Sequence, residues 1–252
     1  METGSVNSFI SKGIATITFG HPQSNSLPGL ILNKLAEEIQ LIGANSEVTV
    51  IVLKSLGTKS FCAGASFDEL VAISDYETGL EFFSGFAKVI NACRKSKQLI
   101  IGRVQGKAVG GGVGIAASVD YCFATKNADI KLSELAVGIG PFVVGPAVAR
   151  KIGEAAMSEL AINATAWRSA EWAMKKGLYA EVYDSIELMD EAVEGLAQRL
   201  SLSNPEAMSE LKNIFWKGTA NWDELLIERA RISGRLVLSE YTRNAIQAFK
   251  SK

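Results

Sequence analysis

The residues best suited to chemistry are three consecutive glycines, Gly110, Gly111 and Gly112, which follow an apolar run and precede small residues typical of a helix. Glycine has no side chain, so a ligand can closely approach the backbone N–H groups at the positive end of a helix. We therefore predict that a group with negative or developing negative charge binds at this loop. The structural alternative is that the glycines only let two chain segments cross at close range.

A second segment with similar properties lies upstream and reads Phe61-Cys62-Ala63-Gly64-Ala65-Ser66-Phe67-Asp68. Together with the glycine segment, it resembles the enoyl-CoA hydratase/isomerase (crotonase) family. In that family an F-x-A-G-A-D segment and a G-x-A-x-G-G-G segment each lend one backbone N–H to a thioester carbonyl oxygen. By position, the resemblance implies that Ala65 and Gly111 are these donors. It also implies that neighbouring small residues line the substrate site: Ala63, Gly64, Gly110 and Gly114.

Glu134 is the candidate acid–base residue. A Ser-Glu pair such as Ser133-Glu134 is also what helix capping and the helix dipole favour, so the pair has a structural explanation as well. The resemblance implies instead that the carboxylate of Glu134 exchanges a proton with C2 of the thioester. For that role near neutral pH, an apolar environment should raise the pKa of Glu134.

One position departs from the pattern of the family's hydratases. They carry a second glutamate three residues after the middle glycine, where this chain has Gly114. Two carboxylates let one group activate water while the other protonates carbon, whereas a lone carboxylate must do both. Asp68, Glu69 and Glu77 are nearby acids that could substitute, although solvated helix-surface residues are the simpler interpretation.

Three functions are compatible with these residues. The run 110–115 and the Leu-Ser-Glu at 132–134 are similar to the methylglutaconyl-CoA hydratase branch, which also has a glycine at the departing position, so we predict an enoyl-CoA hydratase-like enzyme. The first alternative is a Δ3,Δ2-enoyl-CoA isomerase that uses Glu134 alone. The second is an acyl-thioester-binding protein with little turnover, suggested by Gly114 and by Asp68, which stands where the family usually has a lysine near the coenzyme phosphates.

Phe142 is the aromatic residue that we expect to contact substrate, because it follows a glycine-rich turn beside Glu134. Core or interface packing is the other interpretation of this ring. Lys107 and Lys131 are candidates to replace the absent lysine at the phosphates.

The elements that must position these residues alternate along the chain. Residues 14–19 alternate as in a half-buried strand, and the β-branched run 48–53 is typical of a buried strand in a parallel sheet. Residues 99–104 form a strand that leads to the glycine loop. Helical spacing at 30–41 and 76–95 completes an α/β pattern, and helices dominate after residue 154.

The resemblance implies the overall organisation. We predict a crotonase-like ββα spiral core over residues 1–180 and a helical C-terminal region over residues 181–252, which packs on the core and on neighbouring subunits. A homotrimer or a dimer of trimers is implied by the family.

Composition limits the partners. Of 252 residues, 48% are hydrophobic and 21% charged, and the net charge of −1 gives no overall attraction to nucleic acid or to an anionic membrane. The three cysteines suggest neither a zinc site nor a disulfide framework. We expect a cytoplasmic enzyme with no metal and no cofactor apart from the coenzyme A of its substrate.

Overall fold

A computed structural model of the chain describes residues 4–250, with side chains up to residue 248. The strands, in chain order, are β1 Ser5–Ser11, β2 Ile14–Gly20, β3 Ser26–Leu27, β4 Val50–Ser55, β5 Ser60–Cys62, β6 Gly64–Ala65, β7 Leu99–Val104, β8 Lys107–Val109, β9 Tyr121–Thr125, β10 Ile130–Lys131 and β11 Glu181–Tyr183. The helices are α1 Gly29–Ala44, α2 Phe67–Ala72, α3 Tyr76–Lys95, α4 Gly111–Ser118, α5 Gly145–Ile162, α6 Ala170–Lys175, α7 Ile186–Ser201, α8 Pro205–Phe215, α9 Trp222–Leu236 and α10 Glu240–Lys250, with a 3₁₀ turn at Glu134–Val137.

The main sheet has six strands in the order β1-β2-β4-β7-β9-β11. All neighbours are parallel except β1 and β2. Helices cover both faces of the sheet, so the central strands are apolar on both sides and Val50, Ile51, Val52 and Leu53 are all buried. Helix α7 covers one face through a cluster with Met189 and Val193. Helices α1, α3 and α9 stack on the other side of the molecule.

Two small sheets bring the candidate site segments together. One has the order β10-β8-β5, in which Ile130 pairs with Ala108 and Ser60 pairs with Lys107. The other pairs β3 with β6, where Leu27 lies opposite Ala65. The segments that contain Ala65, Gly111 and Glu134 are therefore adjacent in space although they are distant in sequence.

The α/β class predicted from sequence is confirmed, with a C-terminal part that is largely helical. Strand β1 was not predicted, and β11 adds a strand to the main sheet directly after residue 180. The division at residue 180 and the contacts with neighbouring subunits stay predictions. Within residues 4–250, no helix is both long enough and apolar enough to cross a bilayer.

Asn25 anchors the turn that leads to the first site segment. Its backbone is left-handed, with φ of 57°. The side chain accepts from His21 N–H at 2.9 Å and donates to the carbonyl oxygens of Leu56 and Ser60, each at 2.9 Å. The backbone carbonyl of Asn25 also accepts from Ala63 N–H at 3.3 Å. This one buried residue thus ties three loops together.

We expect Asn25→Ala to lower the free energy of unfolding by about 2–3 kcal/mol, because it leaves buried backbone groups without partners. Urea denaturation measures the change. Ser24→Ala is the matched control, since Ser24 is exposed and has a similar φ of 56°, and it should change stability by less than about 0.5 kcal/mol. Equal losses in the two variants would contradict the anchoring role.

Candidate active site

The glycine loop joins β8 to α4. Gly110 has φ of 52° and ψ of −114°, a conformation that glycine adopts without strain. Its N–H donates to Lys131 O at 2.8 Å, and its carbonyl accepts from Val113 and Gly114. Gly111 is the first residue of α4, so its N–H has no hydrogen-bond partner within the helix.

The same glycines also allow close packing. A Cβ atom on Gly111 would overlap the ring of Phe86, and one on Gly112 would overlap the carbonyl oxygen of Cys62. The structural interpretation of the glycines is therefore correct at these two positions, both of which are buried at the start of α4.

The second site segment lies directly against this loop. Gly64 has φ of 95°, and a Cβ atom on it would lie 3.2 Å from Val109 O and 3.9 Å from Gly111 N. Ala65 follows, and its carbonyl accepts from the hydroxyl of Ser26 at 2.8 Å. The structure thus brings Gly64, Ala65 and Gly111 to one place, as the resemblance implied. That Ala65 N–H and Gly111 N–H bind a carbonyl oxygen stays a prediction.

Glu134 begins the 3₁₀ turn and points back to the glycine loop. Its Oε1 lies 2.8 Å from the place where a Cβ atom on Gly110 would be. The residue as a whole is half-buried, but its Oε2 is hidden from solvent and has no hydrogen-bond partner among the described residues. Burial raises the pKa of Glu134 from 4.5 to about 7, as expected from the sequence. The Ser133 side chain makes no capping hydrogen bond, so the capping explanation lacks support.

The turn that carries Glu134 is held by the C-terminal helix. Gly138 ends the turn with φ of 81°, and its carbonyl accepts from the hydroxyl of Thr242 at 3.0 Å. Thr242 is fully buried in α10. No sequence motif predicts this contact, because it links a threonine in a terminal helix to a turn more than a hundred residues earlier.

The position of the absent second glutamate is filled. A Cβ atom on Gly114 would lie 2.5 Å from Cγ1 of Val144, which is buried. Of the three acids considered as substitutes, Asp68 accepts from Gln23 Nε2 at 3.2 Å and Glu69 accepts from Gly29 N–H at 2.8 Å. Glu77 is exposed at the start of α3. The carboxylate of Asp68 thus binds the turn before α1, and that of Glu69 binds the first residue of α1.

The remaining candidates make contacts of their own. The ring of Phe142 folds back over Gly140, with its Cζ 2.5 Å from the place where a Cβ atom on Gly140 would be. Lys107 and Lys131 both lie over the ring of Trp167, at 4.7 and 4.5 Å from its centre. A substrate contact by Phe142 and a phosphate contact by either lysine stay predictions.

Comparisons with known proteins decide the family. The model of the enoyl-CoA hydratase/isomerase family matches residues 9–252. The chain belongs to this family. A short-chain-enoyl-CoA hydratase of Clostridium acetobutylicum is 29% identical over 95% of this chain and 92% of its own length. The enoyl-CoA hydratase/isomerase-type protein YngF of Bacillus subtilis is 30% identical over the same shares. A carnitinyl-CoA dehydratase of Escherichia coli is 28% identical over 80% of this chain and 76% of its own.

Solved structures agree on the fold. An enoyl-CoA hydratase from Bacillus halodurans superimposes with a TM-score of 0.88 at 20% identity, covering 96% of this chain and 99% of that one. An enoyl-CoA hydratase from Mycobacterium avium subsp. paratuberculosis superimposes with a TM-score of 0.84 at 21% identity, covering 98% and 99%. These likenesses confirm the crotonase-like fold that the sequence predicted.

We expect Gly114→Ala to destabilise the protein by about 1–3 kcal/mol, because the new methyl group overlaps Val144 in a packed core. Adding Val144→Ala should recover part of the loss, and urea denaturation measures both. Gly195→Ala in α7 is the matched helix control. It meets only the flexible end of Arg199, so it should be neutral or stabilising by up to about 1 kcal/mol. A stable Gly114→Ala variant would contradict the packing argument.

We expect Glu134→Gln to be more stable than the wild type above pH 7, by up to about 3 kcal/mol. The pKa of Glu134 is about 7 in the folded state and near 4.5 in the unfolded chain, so the folded state holds the proton more tightly. The cost of ionising the buried group is absent below about pH 4.5, grows between these values and is complete above pH 7. Denaturation at a series of pH values measures the difference, which should vanish in acid.

The control for this experiment is Glu187→Gln at the start of α7. Hydrogen bonds to its own backbone N–H and to the Ser185 hydroxyl lower the pKa of Glu187, so its ionised form is favoured by folding. This variant should gain no stability at high pH. If Glu134→Gln also gains no stability at high pH, then burial of the ionised Glu134 carboxylate does not lower the free energy of unfolding.

Proposed function

We propose that this chain is an enoyl-CoA hydratase-like enzyme in which Glu134 exchanges a proton with C2 of an acyl-CoA thioester. The observation that carries the proposal is the carboxylate of Glu134, whose Oε2 is buried without a partner beside the glycine loop. An acid–base catalyst works best when its pKa lies near the operating pH, and burial raises the pKa of Glu134 to about 7.

The thioester carbonyl oxygen would bind between the N–H groups of Ala65 and Gly111. This oxygen gains negative charge whenever C2 loses a proton or C3 gains a nucleophile. Backbone donors that are already in place stabilise such charge, and each is typically worth about 3–4 kcal/mol of barrier. The N–H at the first residue of α4, which has no partner within the helix, and the adjacent Gly64-Ala65 segment support this arrangement.

One carboxylate can account for water addition. In the ionised form Glu134 takes a proton from the water that attacks C3, and the same proton then passes from Glu134 to C2 of the enolate. A pKa near 7 populates both protonation states at neutral pH. The names of two relatives, a short-chain-enoyl-CoA hydratase and a carnitinyl-CoA dehydratase, support water chemistry on a CoA thioester. The more specific likeness to the methylglutaconyl branch is part of the proposal.

Isomerisation is the second candidate, and the packing of Val144 on Gly114 favours it. A hydrocarbon group occupies the position of the second carboxylate, which leaves one base. One base suffices to carry a proton between C2 and C4, moving a double bond from C3=C4 to C2=C3. A homotrimer or dimer of trimers, a cytoplasmic location and the absence of any cofactor beyond the substrate's coenzyme A belong to the proposal as well.

A thioester panel tests the function. Crotonyl-CoA, 3-methylglutaconyl-CoA and 3-hexenoyl-CoA are offered in D2O, and mass spectrometry follows hydration, double-bond migration and deuterium at C2. We expect kcat/KM to rise with pH through about 7, because the base form of Glu134 starts each reaction. Glu134→Gln should lower kcat by about 10²–10⁴ fold.

Glu77→Gln is the matched control, since Glu77 is an exposed glutamate in the first turn of a helix, and it should keep wild-type rates. A hydrated product supports the hydratase, and a shifted double bond without water supports the isomerase. Equal rates in the wild type and in Glu134→Gln would refute Glu134 as the acid–base group and favour a thioester-binding protein with little turnover.

A further inference from the structure

A cavity lies away from the glycine loop. It has a volume of about 320 Å³, at the small end of the range for ligand pockets, and is lined by Asp120, Arg150, Lys151 and Phe215. Asp120 follows the last residues of α4, whereas Gly111 begins that helix. A helix of eight residues spans roughly 12 Å, so the two sites lie at opposite ends of α4.

Of the described residues that line this cavity, Asp120 alone carries a carboxylate, and that carboxylate is already neutralised. Oδ2 of Asp120 lies 3.0 Å from Nζ of Lys212, and the side chain of Lys212 is 2% exposed. The same carboxylate accepts from Ile100 N–H at 2.8 Å and from Trp216 Nε1 at 2.9 Å. Its charge is therefore balanced by Lys212, and its oxygens are occupied.

Neither Arg150 nor Lys151 forms an ion pair with a carboxylate in the part of the chain that the structure describes. Lys151 Nζ donates to the backbone carbonyl of Asp120 at 3.0 Å, and Arg150 Nη1 donates to the backbone carbonyl of Phe215 at 3.1 Å. Both acceptors are neutral. The guanidinium of Arg150 lies 3.7 Å from the centre of the Trp216 ring, and its Nε is hidden from solvent without a partner among the described residues. Two half-buried cations thus border the cavity without a carboxylate of their own.

Helix α4 explains only part of this arrangement. The carbonyl end of a helix attracts cations, which accounts for Lys151 at Asp120 O. It does not account for Arg150, which packs on Trp216 and Phe215 at the end of α8, nor for the cavity that Arg150 and Lys151 both line. The excess positive charge calls for an anion that carries about two negative charges.

We propose that this cavity is a binding site for a phosphate-type oxyanion, held between Arg150 and Lys151. A guanidinium and an ammonium together match the charge of a phosphate dianion, and charge-assisted hydrogen bonds from both would bind its oxygens. The phosphate is either free or part of a nucleotide, and the experiment separates these sources. The site is independent of the proposed chemistry at Glu134.

The test is the thermal unfolding midpoint at increasing inorganic phosphate, with sodium chloride at equal ionic strength as reference. A ligand at ten times its Kd should raise the Tm by about 3–5 °C, and the rise should saturate. A second arm uses adenosine 3′,5′-bisphosphate. The variants are Arg150→Met and Lys151→Met, each compared with its own chloride curve so that a change in basal stability does not count.

Arg168→Met is the matched control, because Arg168 also lies over a tryptophan ring, that of Trp172, but pairs with Glu159 on the surface. A saturable rise with phosphate that both cavity variants lose and Arg168→Met keeps supports a free oxyanion. The same pattern with the nucleotide alone supports a nucleotide phosphate. No rise beyond chloride in either arm overturns the proposal, and so does a rise with inorganic phosphate that both cavity variants retain. A rise with the nucleotide alone that both cavity variants retain also overturns it, because the nucleotide then binds elsewhere.

Discussion

Burial of one carboxylate against a glycine is the interaction on which this site depends. Glu134 reaches the glycine loop only because Gly110 has no side chain, and its Oε2 is removed from water without a replacement partner. A buried carboxyl group without a hydrogen-bond partner costs stability, so the turn that holds it must be well fixed. The turn is fixed on both sides, by Gly110 N–H on Lys131 O and by the Thr242 hydroxyl on Gly138 O. The small β10-β8-β5 sheet and the terminal helix α10 thus both support the raised pKa of Glu134.

The glycine loop shows that a structural and a functional explanation need not compete. Gly111 and Gly112 are required for packing, since any Cβ atom would overlap Phe86 or Cys62. The same close packing places the first N–H of α4, which has no partner within the helix, next to Gly64. Substituting these glycines would therefore damage the fold and the site together. The case for catalysis rests on Glu134. Its Oε2 is buried without a hydrogen-bond partner among the described residues, which costs stability and is not explained by packing.

The sequence predicted the elements with strong periodicity and missed those without it. Helix α3 and strand β7 have the predicted bounds, because helical spacing and a continuous apolar run were both present. Strand β1 has mixed polar residues and is mostly exposed at the sheet edge, so no pattern marked it. The family resemblance predicted that Glu134 and the glycine loop belong to one site. The contacts of Thr242 and Val144 join distant segments, and periodicity does not encode such contacts.

The balance between water addition and double-bond migration depends on what holds a water near C3. A buried water needs about two to four polar partners. The hydrocarbon side chain of Val144 occupies the position of the second carboxylate and offers a water no polar partner. Among the described residues of this site, Glu134 therefore supplies the one charged acceptor. The other partners must come from backbone groups or from the acyl chain itself. A purely hydrocarbon chain adds no polar partner and favours transfer of the proton between carbons, whereas a chain with its own polar group can complete the water's hydrogen bonds. In the proposed mechanism, the chemistry of the acyl chain, as well as that of the protein, would thus select the reaction.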